Sequence, residues 1–336
     1  MRLPAYCFSP HGYTSGLEDE FQETFTDYIG KPFYYGAGLV IDFYGGLIRL
    51  LVEDAKSNPG NAERLVINDL YSGWITPYNP IMSMADIPDR GSAGALLSKA
   101  LVHSLGMTDS RSDLLNLLRE AISTVFDKVS DGQVNTSLIE FGNNLIAYCE
   151  NQGRGELASR LNALFVPLSK TPMRQVLQKG LSFISPATVI GKKLIYGLDA
   201  APKNLNQTVM PTAAMARCQP DNRTAGFLAS ALLLDFYLRL MNMNKNEPKR
   251  YPPLTLMVNG VDYIKGVPWA EVVSGLAQKG CKGFLFSHNA PANEMQSLLG
   301  EDIVTIYSAL PEKLKEGRGY SPFPNEKWSY SLDEIA

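Results

Sequence analysis

The chain has 336 residues, 45% of them hydrophobic and 19% charged, which is the balance of an ordinary soluble protein with room for a large core. A formal net charge of −3 excludes a global basic field of the kind that binds nucleic acid by counterion release. The four cysteines (Cys7, Cys149, Cys218, Cys281) form no CxxC pair, and the three histidines are widely spread, so neither a disulfide framework nor a zinc site is indicated.

The N-terminal stretch "MRLPAYCFSPHGYTSG" lacks a basic region followed by an apolar run, so no secretory leader is expected. Residues 1–31 read as a loop and a short acidic helix. "KPFYYGAGLVIDFYGGLIRLLVEDAKS" then suggests an aromatic strand, a glycine turn at Gly36 to Phe43, and a helix carrying Leu47, Ile48, Leu50, Leu51 and Val52. "NPGNAERLVINDLYSG" places a strand at Arg64 to Ile67 with a polar tip at Asn68-Asp69, followed by the turn "TPYNPI".

From about Ala85 to Gly180 the pattern is helical. In "RSDLLNLLREAISTVFDKVSDG", Ser112 or Asp113 can cap a helix whose apolar residues Leu114, Leu117, Leu118, Ala121, Ile122, Val125 and Val129 recur at helical spacing, with Gly132 closing it. "VNTSLIEFGNNLIAYCENQG" and "GELASRLNALFVPLS" predict two further amphipathic helices.

Strand signals return after Gly180. A strand at Lys193 to Tyr196 precedes Asp199. The run from Ala225 to Met241 contains Asp235 and Arg239 and spans about 17 residues, which favours a buried helix over a membrane span. Then come the strand Leu254 to Val258 with the tip Asn259-Gly260-Val261-Asp262, the helix "PWAEVVSGLAQKG", the strand "KGFLFSHN", the helix "NEMQSLLG" and the strand "DIVTIYSA". Apolar strands alternating with helices imply a mainly parallel sheet covered on both faces, with polar strand tips gathered at its carboxyl edge. The expected organisation is an α/β domain in two parts, residues 1–85 and 181–310, around an all-helical insertion at 86–180, with a loosely packed tail at 311–336.

Four constellations could carry chemistry. The first is the turn at Gly36. A phosphate loop, G-x-x-x-x-G-K-[ST], needs glycines so that backbone N–H groups surround the phosphates, a lysine to neutralise them and a hydroxyl for magnesium. Counted from Gly36, Ile41 falls at the second glycine, Asp42 at the lysine and Phe43 at the hydroxyl. An aspartate at a helix start stabilises the helix but repels phosphate, so a strand-to-helix turn capped by Asp42 is the better reading.

The second is the set of strand-end aspartates Asp42, Asp69, Asp199 and Asp262. Asp69, Asp199 and Asp262 could hold Mg²⁺ for phosphoester hydrolysis, although aspartate favours turns in any α/β protein. The third is His288, which with a nearby aspartate could act as a general base. No Ser or Cys stands in a G-x-S-x-G context, so nucleophilic catalysis has no support. The fourth is the basic content at Lys192-Lys193, Lys245, Lys249, Arg250, Lys313, Lys315 and Arg318, interrupted by acids, prolines and apolar residues. It reads as a solvated surface, with a DNA-facing loop as the lesser alternative: DNA is a possible partner that the net charge does not support.

In order and spacing, residues 30–310 resemble the nucleotide-binding domain of conjugative type IV secretion coupling proteins (TraG/TraD-like), within the FtsK/HerA-like group of P-loop motors. "FYYGAGLVIDFYGGLIRLL" is similar to the Walker A strand, loop and helix, and Asp69 with Asn79-Pro80 to the next strand and its Asn-Pro turn. "PPLTLMVNGVDYI" stands in the Walker B place, and "VVSGLAQKGCKGFLFSHN" in that of the helix and sensor strand. The resemblance implies a RecA-like, mainly parallel sheet with an inserted all-α domain.

It also implies a degenerate site. Gly36, Gly38, Asp42 and Phe43 stand at the Walker A position, with Asp42 for the lysine and Phe43 for the hydroxyl. Asn259, Gly260 and Asp262 stand at the Walker B position, and Ser287-His288 at the sensor. The helix "SGLAQKG" has no arginine near Ala277, and the family's N-terminal membrane region has no counterpart here. The expectation is a catalytically inactive, ATPase-like structural or adaptor subunit of a conjugation or type IV secretion machine. It would need no cofactor, lie in the cytoplasm or at the cytoplasmic face of a membrane complex, and partner with itself or an active ATPase relative. The alternatives are the Mg²⁺-dependent hydrolase and an active DNA-translocating ATPase with an atypical phosphate loop, each of which would bring in ATP or Mg²⁺.

Overall fold

The computed structural model describes residues 6–9, 37–43, 65–70, 77–107, 112–178, 193–197, 221–242, 254–286 and 304–306. Among the described residues, seven strands form one sheet: β1 (Tyr6–Ser9), β2 (Ala37–Asp42), β3 (Leu65–Asp69), β4 (Lys193–Gly197), β5 (Leu254–Asn259), β6 (Lys282–Phe286) and β7 (Val304–Ile306). They lie side by side in the order β3-β4-β2-β5-β6-β1-β7. Each of these pairings is parallel, so all strands end at the same edge.

Two of these strands differ from the sequence expectation. β1 forms where a loop was expected, inserted between β6 and β7. Residues Ala37–Asp42, expected as a glycine turn, are an extended strand hydrogen-bonded on both sides, to β4 and to β5. Cross-strand pairing on two sides overrides the turn preference of an isolated glycine. Gly38 accommodates the close approach of β5, since a Cβ there would lie 2.4 Å from the Thr255 carbonyl oxygen.

Eight helices lie among the described residues. They are α1 (Pro80–Met84), α2 (Arg90–Ser104), α3 (Ser112–Ser130), α4 (Leu138–Asn151), α5 (Gly155–Leu168), α6 (Met173–Val176), α7 (Asn222–Asn242) and α8 (Trp269–Gln278). On α3 the residues Leu114, Leu118, Ile122 and Phe126 are buried at helical spacing. A capping box starts α4, with the Ser137 hydroxyl receiving the Glu140 N–H and the Glu140 carboxylate receiving the Ser137 N–H. α4 packs on α5 through Gly142, where an added Cβ would come within 2.4 Å of the Phe165 ring.

α7 is long and apolar enough to cross a membrane by length and composition, yet 89% of its apolar window is buried inside the protein. It is buried nearly all round, from Thr224 to Leu238, because α2, α1, α8 and the segment after β5 cover it. The described residues of the helical stretch 86–180 therefore share one apolar core with the sheet: Leu39, Ile41, Leu256 and Val258 belong to the same cluster as Leu97, Leu101, Leu118 and Leu161.

Candidate functional site

The site is built at the ends of β2 and β5. Their register sets Asp42 opposite Asn259. Register partners on parallel strands project to the same face, and here the Asn259 Nδ2 donates to Asp42 Oδ1 at 2.8 Å. Both residues are fully buried. The next backbone group continues the ladder, with the Phe43 N–H donating to the Asn259 carbonyl at 2.9 Å.

An aromatic contact lies just past the two strand ends. Gly260 adopts φ 110°, a conformation that side-chain-bearing residues rarely hold. A Cβ on Gly260 would meet Phe43 at 2.9 Å. The Phe43 ring is fully buried and stacks on Tyr263 at 5.1 Å between centroids, 29° between planes. Tyr263 belongs to a 3₁₀ turn, Val261–Tyr263, which also carries the partly exposed Asp262.

Asp42 and Phe43, expected at a Walker A position, and Asn259 and Gly260, expected at a Walker B position, are thus brought together, with direct contact between Asp42 and Asn259 and between Phe43 and Gly260. The chemistry of the contact is an amide donating to a carboxylate and a ring filling the space over a glycine. A buried carboxylate at this point repels a phosphate, and a phenyl ring offers no oxygen to Mg²⁺. Asp42 ends a strand; the helix start that it was expected to cap lies outside the described residues, and among them its carboxylate accepts the bond from Asn259.

The other sequence-derived residues lie apart. Gly36, Asp199, Ser287 and His288 fall outside the described residues, as does the side chain of Asp69. The strand end at Asp69 belongs to β3, three strand spacings from β5 in the sheet order, or about 14 Å. Asp69 and Asp262 therefore start from strand ends farther apart than the ligand shell of one magnesium ion. Among the described residues, no group of three or more His, Cys, Asp or Glu side chains is arranged to hold a metal.

A second polar constellation lies in the core, and sequence reasoning missed it. Asp235 on α7 is fully buried. Its carboxylate accepts from Arg239 Nε at 2.8 Å, from the Tyr78 hydroxyl at 3.0 Å and from the Ser83 hydroxyl. The Arg239 guanidinium also donates to the Ser83 carbonyl. Burial pushes the Asp235 carboxyl above its ordinary range, while the Arg239 charge and the hydrogen bonds from Ser83, Arg239 and Tyr78 pull the other way. The signal was present as Asp and Arg at i, i+4 inside an apolar run.

Asn79-Pro80 is also structural. The Asn79 side chain caps α1 by accepting the Ile81 N–H, and its Nδ2 donates to the Thr136 carbonyl at 2.8 Å. No protein-family model and no curated protein matches the chain.

Proposed function

We propose that this protein is a catalytically silent, ATPase-like structural or adaptor subunit, built on a RecA-like α/β plan with an all-helical insertion and serving a conjugation or type IV secretion machine. One observation carries the silent part of this reading: the buried bond between Asn259 and Asp42, at the two strand ends where a motor of this kind would place its phosphate-binding and water-activating groups. The helical segments are packed into the same core as the sheet, which suits a rigid assembly part. The subunit acts in the cytoplasm or at the cytoplasmic face of a membrane complex, and its partners are protein subunits: further copies of itself or an active ATPase relative.

The test is binding of a fluorescent ATP analogue to the purified chain, with and without Mg²⁺. The expected result is no saturable signal up to high micromolar nucleotide. Mg²⁺-dependent binding would sink the silent reading and turn attention to an active translocase with an atypical phosphate loop.

A further inference from the structure

We propose that the segment Gly260–Val267, between β5 and α8, is a strut that fastens the strand-end cluster to the helical layer, so that the two open as one cooperative unit. Polar strand tips at an α/β carboxyl edge commonly belong to mobile loops. Here the tip is gripped at successive points by three different elements.

At its start, Gly260 and Tyr263 hold the Phe43 ring from β2. One residue class makes the next contact possible: Gly226 of α7 lies so close that a Cβ there would fall 2.3 Å from the Tyr263 carbonyl oxygen. The Lys265 carbonyl then lies 3.0 Å from the Ser230 hydroxyl of α7, which shares its single proton with the Gly226 carbonyl at 2.8 Å, and 3.4 Å from the Ser104 hydroxyl of α2. Both serines are buried and 3.4 Å apart. Gly266, at φ 73°, lies against the α2 backbone, with a Cβ there coming within 2.7 Å of the Lys99 carbonyl oxygen. Val261, Ile264, Val267 and Trp269 are buried along the same stretch.

A segment with this density of backbone-to-backbone contact cannot leave α2 or α7 without losing its buried groups, and it cannot move without displacing the residues that cover Phe43. Neighbouring elements bound in this way exchange their amide hydrogens through a shared opening. The inference rests on packing alone and holds whether or not the strand ends bind nucleotide.

Native-state hydrogen exchange on the intact chain tests it. The amides to follow are Tyr263 and Ile264, which donate to Gly260 and Val261, Leu105 at the end of α2, and Phe43, which donates to Asn259. In the wild-type protein the four should exchange within about tenfold of one another. In the double variant Ser104→Ala/Ser230→Ala, which releases the Lys265 carbonyl and leaves β2 and β5 untouched, all four should accelerate together by at least about fivefold. Strut amides exchanging roughly a hundredfold faster than Leu105 and Phe43 in the wild type would overturn the proposal. So would acceleration confined to the strut in the double variant, and if that variant does not fold, the wild-type comparison decides alone.

Discussion

The Asn259 side chain donates to the Asp42 carboxylate across 2.8 Å, at the buried ends of two neighbouring parallel strands. Removing the amide by Asn259→Leu withdraws a charge-assisted donor from a buried carboxylate and is expected to cost about 1–3 kcal/mol of stability. Urea denaturation measures it, and an unchanged midpoint would mean the contact contributes nothing.

Restoring an acid by Asn259→Asp is predicted to yield no ATP hydrolysis and a pH-dependent loss of stability. Two carboxylates would face each other at hydrogen-bond distance, raising a carboxyl pKa in the folded state above its unfolded value. The stability is then retained at acid pH, below the unfolded value, and lost as pH rises through the folded one. Thermal melts from pH 4 to pH 8 should show the variant falling away from wild type on the alkaline side; parallel curves would refute the pairing.

The Asp235–Arg239 pair fastens α1 to α7. Asp235→Ala strands the Arg239 charge and removes the acceptor of Tyr78 and Ser83, with an expected cost of about 3–5 kcal/mol. The raised Asp235 pKa means that the folded state holds its proton more tightly. Its contribution is therefore fully present below the unfolded carboxyl pKa and declines as pH rises through the folded value. Asp235→Asn should remove that slope, which denaturant midpoints across pH would reveal.

Tyr237 on α7 donates to Glu271 on α8 at 3.1 Å. Burial, reinforced by the Glu271 charge and hydrogen bond, pushes its phenol up to about 12. The neutral phenol therefore contributes stability below the ordinary tyrosine pKa, and that contribution is lost as pH climbs towards the folded value. Difference absorbance between wild type and Tyr237→Phe should show this ring still un-ionised where ordinary tyrosines have titrated, and Glu271→Gln should lower its pKa. Titration near the ordinary value in the wild type would exclude the contact.

Gly142 lets α4 and α5 close on each other at Phe165. Gly142→Ala would add helix propensity but drive a methyl into a buried ring, so a net loss of about 1–3 kcal/mol is expected. A stabilised variant, read by thermal denaturation, would show that the hairpin can relax.

The sequence by itself determined the helices α3, α4, α5, α7 and α8 and the strands β3 to β7, because their apolar runs have the length and spacing of one element and are bounded by caps, glycines and prolines. It also marked α7 as a buried helix, since an apolar run of about 17 residues carrying Asp235 and Arg239 is too short and too charged to favour a membrane span. Only the tertiary structure decided the rest. β1 is a four-residue segment with no periodicity of its own, and its place is fixed by β6 and β7 at the far end of the chain. The stretch Ala37–Asp42 has the local character of a turn and becomes a strand because β4 and β5 pair with both of its edges. The meeting of Asp42 with Asn259, and of Tyr78 and Ser83 with Asp235, depends on register and packing between segments remote in sequence. Such contacts leave no local pattern, because the energy that selects them comes from burial and hydrogen bonding available only after the chain has folded.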